Sequence, residues 1–246
     1  MTWLEFADRY FRVRKCGGCG KILSFEDCYE AFCPECRRKW NQAKTESCGN
    51  CFQSVAECTC QPKLLEDASV PVLRKLIFYV SKRDHEPQNR IIYSIKKRHN
   101  RRLFSFLASE LKPAIEQQLA TLEIGNPQEE AVLAYVPRGK RSKAAYGFDQ
   151  SGLLCRYLSK MTEIPCAFAL ERTRSGKEQK HLSKKDRVKN MKQSISVRDG
   201  AQIRGKCIFL LDDVVTTGAS MSVCAAALKK AGARCIIAIS LAYTSR

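Results

Sequence analysis

Two carboxylates and a hydroxyl-rich turn stand side by side in residues 208–220, IFLLDDVVTTGAS. The four apolar residues describe a buried strand ending in Asp212 and Asp213. Thr216, Thr217 and Gly218 build a turn, and a helix starts near Ala219. Such a turn offers unpaired backbone N–H groups and hydroxyls at the positive end of a helix, which suits a phosphate. The carboxylates beside it could accept from ribose hydroxyls or help hold Mg²⁺, which takes hard oxygen ligands. Phosphate, diol and metal within one turn point to a sugar phosphate. The plainer alternative is an ordinary parallel strand and helix joined by a polar turn. A P-loop is excluded, because no G-x-x-x-x-G-K-[ST] run occurs.

The second chemistry lies in the cysteines, of which nine of 14 precede residue 61. Cys16 and Cys19 form one C-x-x-C knuckle and Cys33 and Cys36 another, with 13 residues between them. Cys48, Cys51, Cys58 and Cys60 make a tighter set, its second half a C-x-C. Zinc takes four tetrahedral thiolates, and each short hairpin supplies two. Two zinc ribbons are expected, structural rather than catalytic because cysteine fills every position; Cys28 is left over as a free thiol or alternative ligand. A redox C-x-x-C would normally open a βαβ helix, which this region does not offer. Trp40 and Phe52 either pack beside the metal or present stacking faces for bases.

These groups need scaffolds to hold them. A chain of 246 residues predicts two domains, a cysteine-rich module over 1–65 and an α/β domain over 66–246. The formal charge is +18, and it is uneven: residues 1–65 carry 10 basic and 8 acidic side chains, residues 66–246 carry 33 and 17. That excess favours polyanionic partners such as phosphorylated sugars or nucleic acid. No apolar leader opens the chain and no run is long enough to span a bilayer, so a cytoplasmic protein without membrane insertion is expected.

Within the larger part, Leu76–Val80 reads as a short strand and residues 89–119 as helical segments broken near Pro113. Ala131–Val136 reads as a buried strand stopped by Pro137. Arg138, Gly139, Lys140, Arg141 and Lys143 follow it, a basic glycine-containing loop at the carboxyl end of a strand, where an open α/β sheet binds ligands. Residues 170–192 form a long basic connection, extended at first and helical after Leu182, of the kind that serves as a lid. A strand over 207–211, a helix over 219–231 and a strand over 234–242 close the sheet. Cys207, Cys224 and Cys235 lie on these apolar elements as buried core thiols.

Residues 208–220 resemble the PRPP-binding loop of type I phosphoribosyltransferases: four apolar residues, two acids, two loosely apolar residues, then T-T-G-x-[ST]. The order of parts along the chain resembles the ComF family, a double zinc ribbon followed by a phosphoribosyltransferase-like domain. The cysteine knuckles, VPRGKRSKAAYGFDQS (136–151), RTRSGKEQKHLSKKDRVKN (172–190) and the 208–220 loop carry that resemblance. Gly147, Phe148 and Gln150 match the family's R-G-F-N-Q, with Tyr146 and Asp149 in place of Arg and Asn. Arg172, Gln179, Leu182, Ser183, Arg187 and Asn190 match its next block, with one extra residue before Gln179.

The resemblance implies a type I phosphoribosyltransferase fold, a mostly parallel sheet with helices on both faces and a lid. It implies that Asp212, Asp213, Val214, Val215, Thr216, Thr217, Gly218, Ala219 and Ser220 bind PRPP or a related ribose phosphate with Mg²⁺. Arg138, Gly139, Lys140, Arg172, Lys177, Gln179 and Arg187 would serve the pyrophosphate or the lid. Natural competence, single-stranded DNA and a protein partner for the zinc module are further expectations. Enzymes for 6-oxopurines place an acid where Thr216 stands, so neither acceptor nor catalytic residue is legible. A non-catalytic PRPP-binding module that handles nucleic acid is the alternative.

Overall fold

The computed structural model describes residues 14–24, 26–27, 29–79, 86–97, 99–139, 144–145, 147–172, 195–198 and 200–244. Four apolar segments form a wholly parallel sheet: β1 (Leu73–Phe78), β2 (Ala131–Tyr135), β5 (Cys207–Val215) and β6 (Cys235–Tyr243), in the spatial order β1-β6-β5-β2. Covered on both faces, these strands read as near-continuous runs of apolar residues rather than alternating ones. A bridge from Leu133 to Cys166 lays a further extended segment along β2. The short strands β3 (Leu170–Arg172) and β4 (Ile195–Val197) pair antiparallel beside it. The expected mostly parallel sheet with helices on both faces is the fold observed.

One face is covered by α3 (Pro87–Lys97), α4 (Arg101–Thr121) and α6 (Gln150–Thr162), and Phe209, Leu211, Ile237 and Ile239 point into that layer. The first cysteine knuckles and α1 (Pro34–Lys44) join the same core through Phe32 and Trp40. The other face is covered by α7 (Ala219–Lys230) and by the second cysteine set with α2 (Lys63–Asp67) behind it. A one-turn helix, α5 (Pro127–Glu130), leads into β2. Side chains from both sides of residue 65 therefore share each core.

Three expectations are corrected. The helical stretch divides between α3, which ends at Lys97, and α4, which starts at Arg101, and not at Pro113, which lies inside an unbroken α4. Asn100 caps α4, its Oδ1 accepting from the Leu103 N–H at 3.3 Å. The proline removes one helical hydrogen bond, but Leu103, Phe104, Leu107, Leu111 and Ile115 keep a continuous buried stripe through it, and that packing wins. Strand β5 runs on through both acids to Val215, because the Asp213 and Val214 N–H groups are satisfied by carboxylates and β6 stays in register alongside. Cys207 and Cys235 are a disulfide, the parallel register having placed them directly opposite each other; Cys224 remains a buried thiol. Trp40 is fully buried against Phe32 and Phe106, so it packs rather than stacks, while Phe52 is 78% exposed.

Candidate ribose-phosphate site and cysteine centres

The hydroxyl-rich turn sits where β5 leaves the sheet. Thr216 is exposed and Thr217 half-buried. Gly218 adopts φ 72°, a left-handed conformation that glycine tolerates best. It starts α7 at Ala219, as expected, and no side chain caps that helix. Its first-turn N–H groups, which the helix cannot use, are therefore available to an anion together with the dipole of a twelve-residue helix. A Cβ on Gly218 would come within 3.1 Å of both Leu65 and Pro62, so the turn is backed by the segment that follows the second cysteine set.

Asp213 is buried and fully engaged. Its Oδ2 accepts from Gln150 Nε2 at 3.0 Å and faces Lys96 Nζ at 3.4 Å, while Oδ1 accepts from the Val214 N–H at 2.9 Å. Asp212 accepts from the Asp213 N–H at 2.9 Å. Burial, with the neighbouring Asp213 carboxylate added to it, pushes the Asp212 carboxyl well above the usual carboxylate range; Lys96 pulls weakly the other way. Asp212 lies in register with Ser240, and Ser240 with Lys75. A polar row thus crosses β5, β6 and β1 just under the turn, and the Ser240 hydroxyl in it is buried without a partner.

The basic side of the site is assembled from three distant segments. The Arg138 N–H donates to Asp149 Oδ2 at 2.9 Å, and its guanidinium donates to the Lys96 carbonyl at 3.2 Å. Asp149 also caps α6 through the Gly152 N–H. The Arg172 guanidinium lies against Gly139, 3.5 Å from where a Cβ there would stand, and its Nε is buried without a partner. Arg138, Gly139 and Arg172 are therefore gathered toward the turn, whereas Lys140, Arg141, Lys143, Lys177, Gln179 and Arg187 lie outside the described residues. Two contributors were not singled out beforehand for this site. Lys96 stands in a stretch of basic residues and Gln150 in a polar one, and neither carries a local signal of reaching Asp213.

The eight cysteines expected to bind metal form two groups, Cys16, Cys19, Cys33 and Cys36, and Cys48, Cys51, Cys58 and Cys60. Within each group the sulfur atoms all lie within 4.8 Å of one another, a spacing that could hold a metal such as zinc. Backbone N–H groups aim at the sulfurs, from Cys33 to Cys16 at 3.3 Å and from Asn50 to Cys48 at 3.5 Å. Burial raises the Cys16 and Cys48 thiols, but these and neighbouring N–H donors outweigh it and bring both down to about 7. Burial and adjacent sulfurs push Cys60 up to about 12. Lys75, only 6% exposed, donates to the Cys58 carbonyl at 3.0 Å and the Cys60 carbonyl at 2.6 Å, with Tyr243 5.1 Å from its ammonium. Cys28 lies outside the described residues.

The phosphoribosyl transferase domain family matches residues 152–246, from within α6 through β6. The chain is 34% identical over 104 residues to the DNA utilization protein YhgH of Escherichia coli K12, covering 41% of this chain and 44% of that protein. It is 27% identical over 220 residues to Competence protein F of Haemophilus influenzae, covering 88% of this chain and 85% of that one. The chain spans about half or less of the length of the YhgH relatives it matches. A solved structure titled as the allosteric regulatory enzyme of purine biosynthesis superimposes with a TM-score of 0.35 at 18% identity, over 57% of this chain and 26% of the other. Parallel sheet, carboxylate-bearing turn and domain match together define a protein of phosphoribosyltransferase fold. With the cysteine groups ahead of that domain, the chain is similar over most of its length to Competence protein F and over its domain part to YhgH.

Among the described residues, no helix is long and apolar enough to cross a membrane.

Proposed function

We propose that this chain binds PRPP or a related ribose phosphate in the turn after β5 and transfers its phosphoribosyl group, in a role connected with DNA uptake or nucleotide metabolism. The observation that carries this reading is the adjacency of Asp212 and Asp213 to an uncapped α7 N-terminus, with Lys96 and Arg138 close by. The N–H groups of residues 218–220 and the hydroxyls of Thr216, Thr217 and Ser220 cradle the 5′-phosphate. Asp212 and Asp213, followed by Val214 and Val215, face the ribose diol. Asp213 keeps Gln150, Lys96 and the Val214 N–H on its oxygens, so Mg²⁺ fits there through water rather than by direct ligation. When bound, Mg²⁺ would neutralise charge on the pyrophosphate.

The leaving pyrophosphate meets Arg138, the Gly139 backbone and Arg172, with Lys140 and the lid residues Lys177, Gln179 and Arg187 joining on closure. Arginine suits this task because its fork pairs with two phosphate oxygens at once. Positioning and charge neutralisation, rather than a protein nucleophile, supply the rate. The two cysteine groups hold structural zinc, which organises residues 1–65 as a module against the domain over 66–246 and offers a face to a protein partner.

A second reading is a PRPP-binding protein without turnover that handles single-stranded nucleic acid. It is favoured by the basic excess over residues 66–246 and by the relatives' names, which speak of DNA utilization and competence. Pyrophosphate release from Mg-PRPP with a panel of bases separates the two. Tight PRPP binding with no release for any acceptor sinks the transferase reading. The double change Asp212→Asn with Asp213→Asn should weaken PRPP binding at least tenfold by calorimetry; undiminished binding means that the carboxylates are wrongly assigned.

A further inference from the structure

Two cysteines outside both metal groups and outside the ribose-phosphate site face each other across α6. Cys155 sits in the second turn of that helix, fully buried. Cys166 lies on the extended segment that follows it and is partly exposed. Their sulfur atoms are 2.6 Å apart, within reach of the disulfide bond length of about 2.05 Å. The frame around them is stiff. Leu133 on β2 donates to the Pro165 carbonyl and accepts from the Ala167 N–H, both at 2.9 Å, which fixes Cys166 beside the sheet. The reversal between the two cysteines is tied by Ser159 Oγ to the Ile164 carbonyl at 2.7 Å and by Thr162 Oγ1 to the Leu158 carbonyl at 2.9 Å.

We propose that Cys155 and Cys166 are a redox-active dithiol that closes reversibly to an intramolecular disulfide. The Cys166 thiolate attacks one sulfur of a small-molecule disulfide such as oxidised glutathione, breaking its S–S bond and releasing one thiol. Cys155 then gives its proton to water and attacks Cys166 Sγ, expelling the second thiol. The two protein thiols are oxidised by two electrons and the small disulfide is reduced by the same two. The order of events follows from the surroundings. The thiol of Cys155 donates to Cys166 and, with Arg156, favours the Cys166 thiolate, whereas burial pushes Cys155 well up. Cys166 is also the less buried of the two. The bond would pin α6 to the sheet edge, and α6 carries Asp149 and Gln150 at its start, the partners of Arg138 and Asp213.

The test uses the full metal-loaded chain, reduced and then held in excess oxidised glutathione at neutral pH. Remaining thiols are alkylated and the protein is mapped without reduction. Trypsin cuts after Arg156 and Lys160, so the bonded cysteines appear as two peptides joined by one disulfide. The expected result is loss of alkylation at both positions and recovery of that joined pair. Cys155→Ser should instead trap Cys166 as its glutathione adduct, and Cys166→Ser should leave Cys155 a free thiol. Zinc content equal to the parent's shows that each variant is folded. Two separately alkylated thiols in the parent after prolonged exposure overturn the proposal, as does a Cys166–glutathione adduct that Cys155 never resolves.

Discussion

Asp212 carries a cost that grows as pH rises above the ordinary carboxylate range. Its folded-state pKa is raised by burial and by Asp213, so between the unfolded and folded values the folded protein keeps a proton that the unfolded chain has released. Above the ordinary carboxylate range the unfolded state binds fewer protons, and stability falls as pH rises through the interval up to the folded value. Asp212→Asn keeps the oxygen that accepts from the Asp213 N–H and removes the titration. In the ligand-free protein this change should therefore raise the melting temperature at neutral pH. One kcal/mol corresponds to roughly 2–4 °C for a chain of this size. The gain should shrink as pH falls toward the ordinary carboxylate range; a gain that persists unchanged in acid counters the argument. Binding sites often hold such residues, which oppose stability until a ligand arrives.

At the scale of elements, the cysteine groups and the turn after β5 are each held by something the other part supplies. Gly218 needs both its left-handed backbone and the space against Pro62 and Leu65. Gly218→Ala should cost roughly 2–4 kcal/mol from the strained φ and the close contacts together. That means a melting temperature lower by roughly 5–15 °C in a thermal scan. Lys75 caps the carbonyls of Cys58 and Cys60 from β1. Lys75→Met should speed metal release to a chromogenic chelator roughly tenfold, in the range of losses seen when groups behind metal ligands are removed. Only the release phase assigned by Cys48→Ser should change, and equal acceleration of both phases would refute a local role.

The elements themselves were largely legible. β2, β5 and β6 are apolar runs bounded by turns or charge, which is how strands buried on both faces must read. Pro113 is a helix breaker by propensity alone, but the stripe from Leu103 to Ile115 is buried and packing keeps the helix whole. The acids misled about the end of β5, since polar residues usually mark a strand's exit; here their own carboxylates satisfy the backbone. The meeting of Lys96, Arg138, Gln150 and Asp213 could not be read at all. It depends on the sheet order, and each residue taken alone has the pattern of a surface group.

Over the whole molecule the charge is divided as unevenly as the chemistry. Residues 66–246 hold 33 basic and 17 acidic side chains, against 10 and 8 before them. If single-stranded DNA follows this excess, its affinity should fall with salt at a logarithmic slope of about −0.7 per phosphate neutralised. Measured by fluorescence anisotropy, a flat salt dependence would argue against backbone contacts. The cysteine groups lie on opposite sheet faces, the first in the core beside α4 and the second behind α7.

The packing of Gly218 against Pro62 and Leu65 has a consequence for descent. A thirteen-residue loop is short enough to be copied between unrelated genes, yet this copy arrives with one wall missing unless the segment after the knuckles travels with it. Recombination that joined the carboxyl-terminal half to a foreign leader would leave an open seam under the turn after β5. Loop and knuckle should therefore be inherited as a linked pair, lost together or kept together.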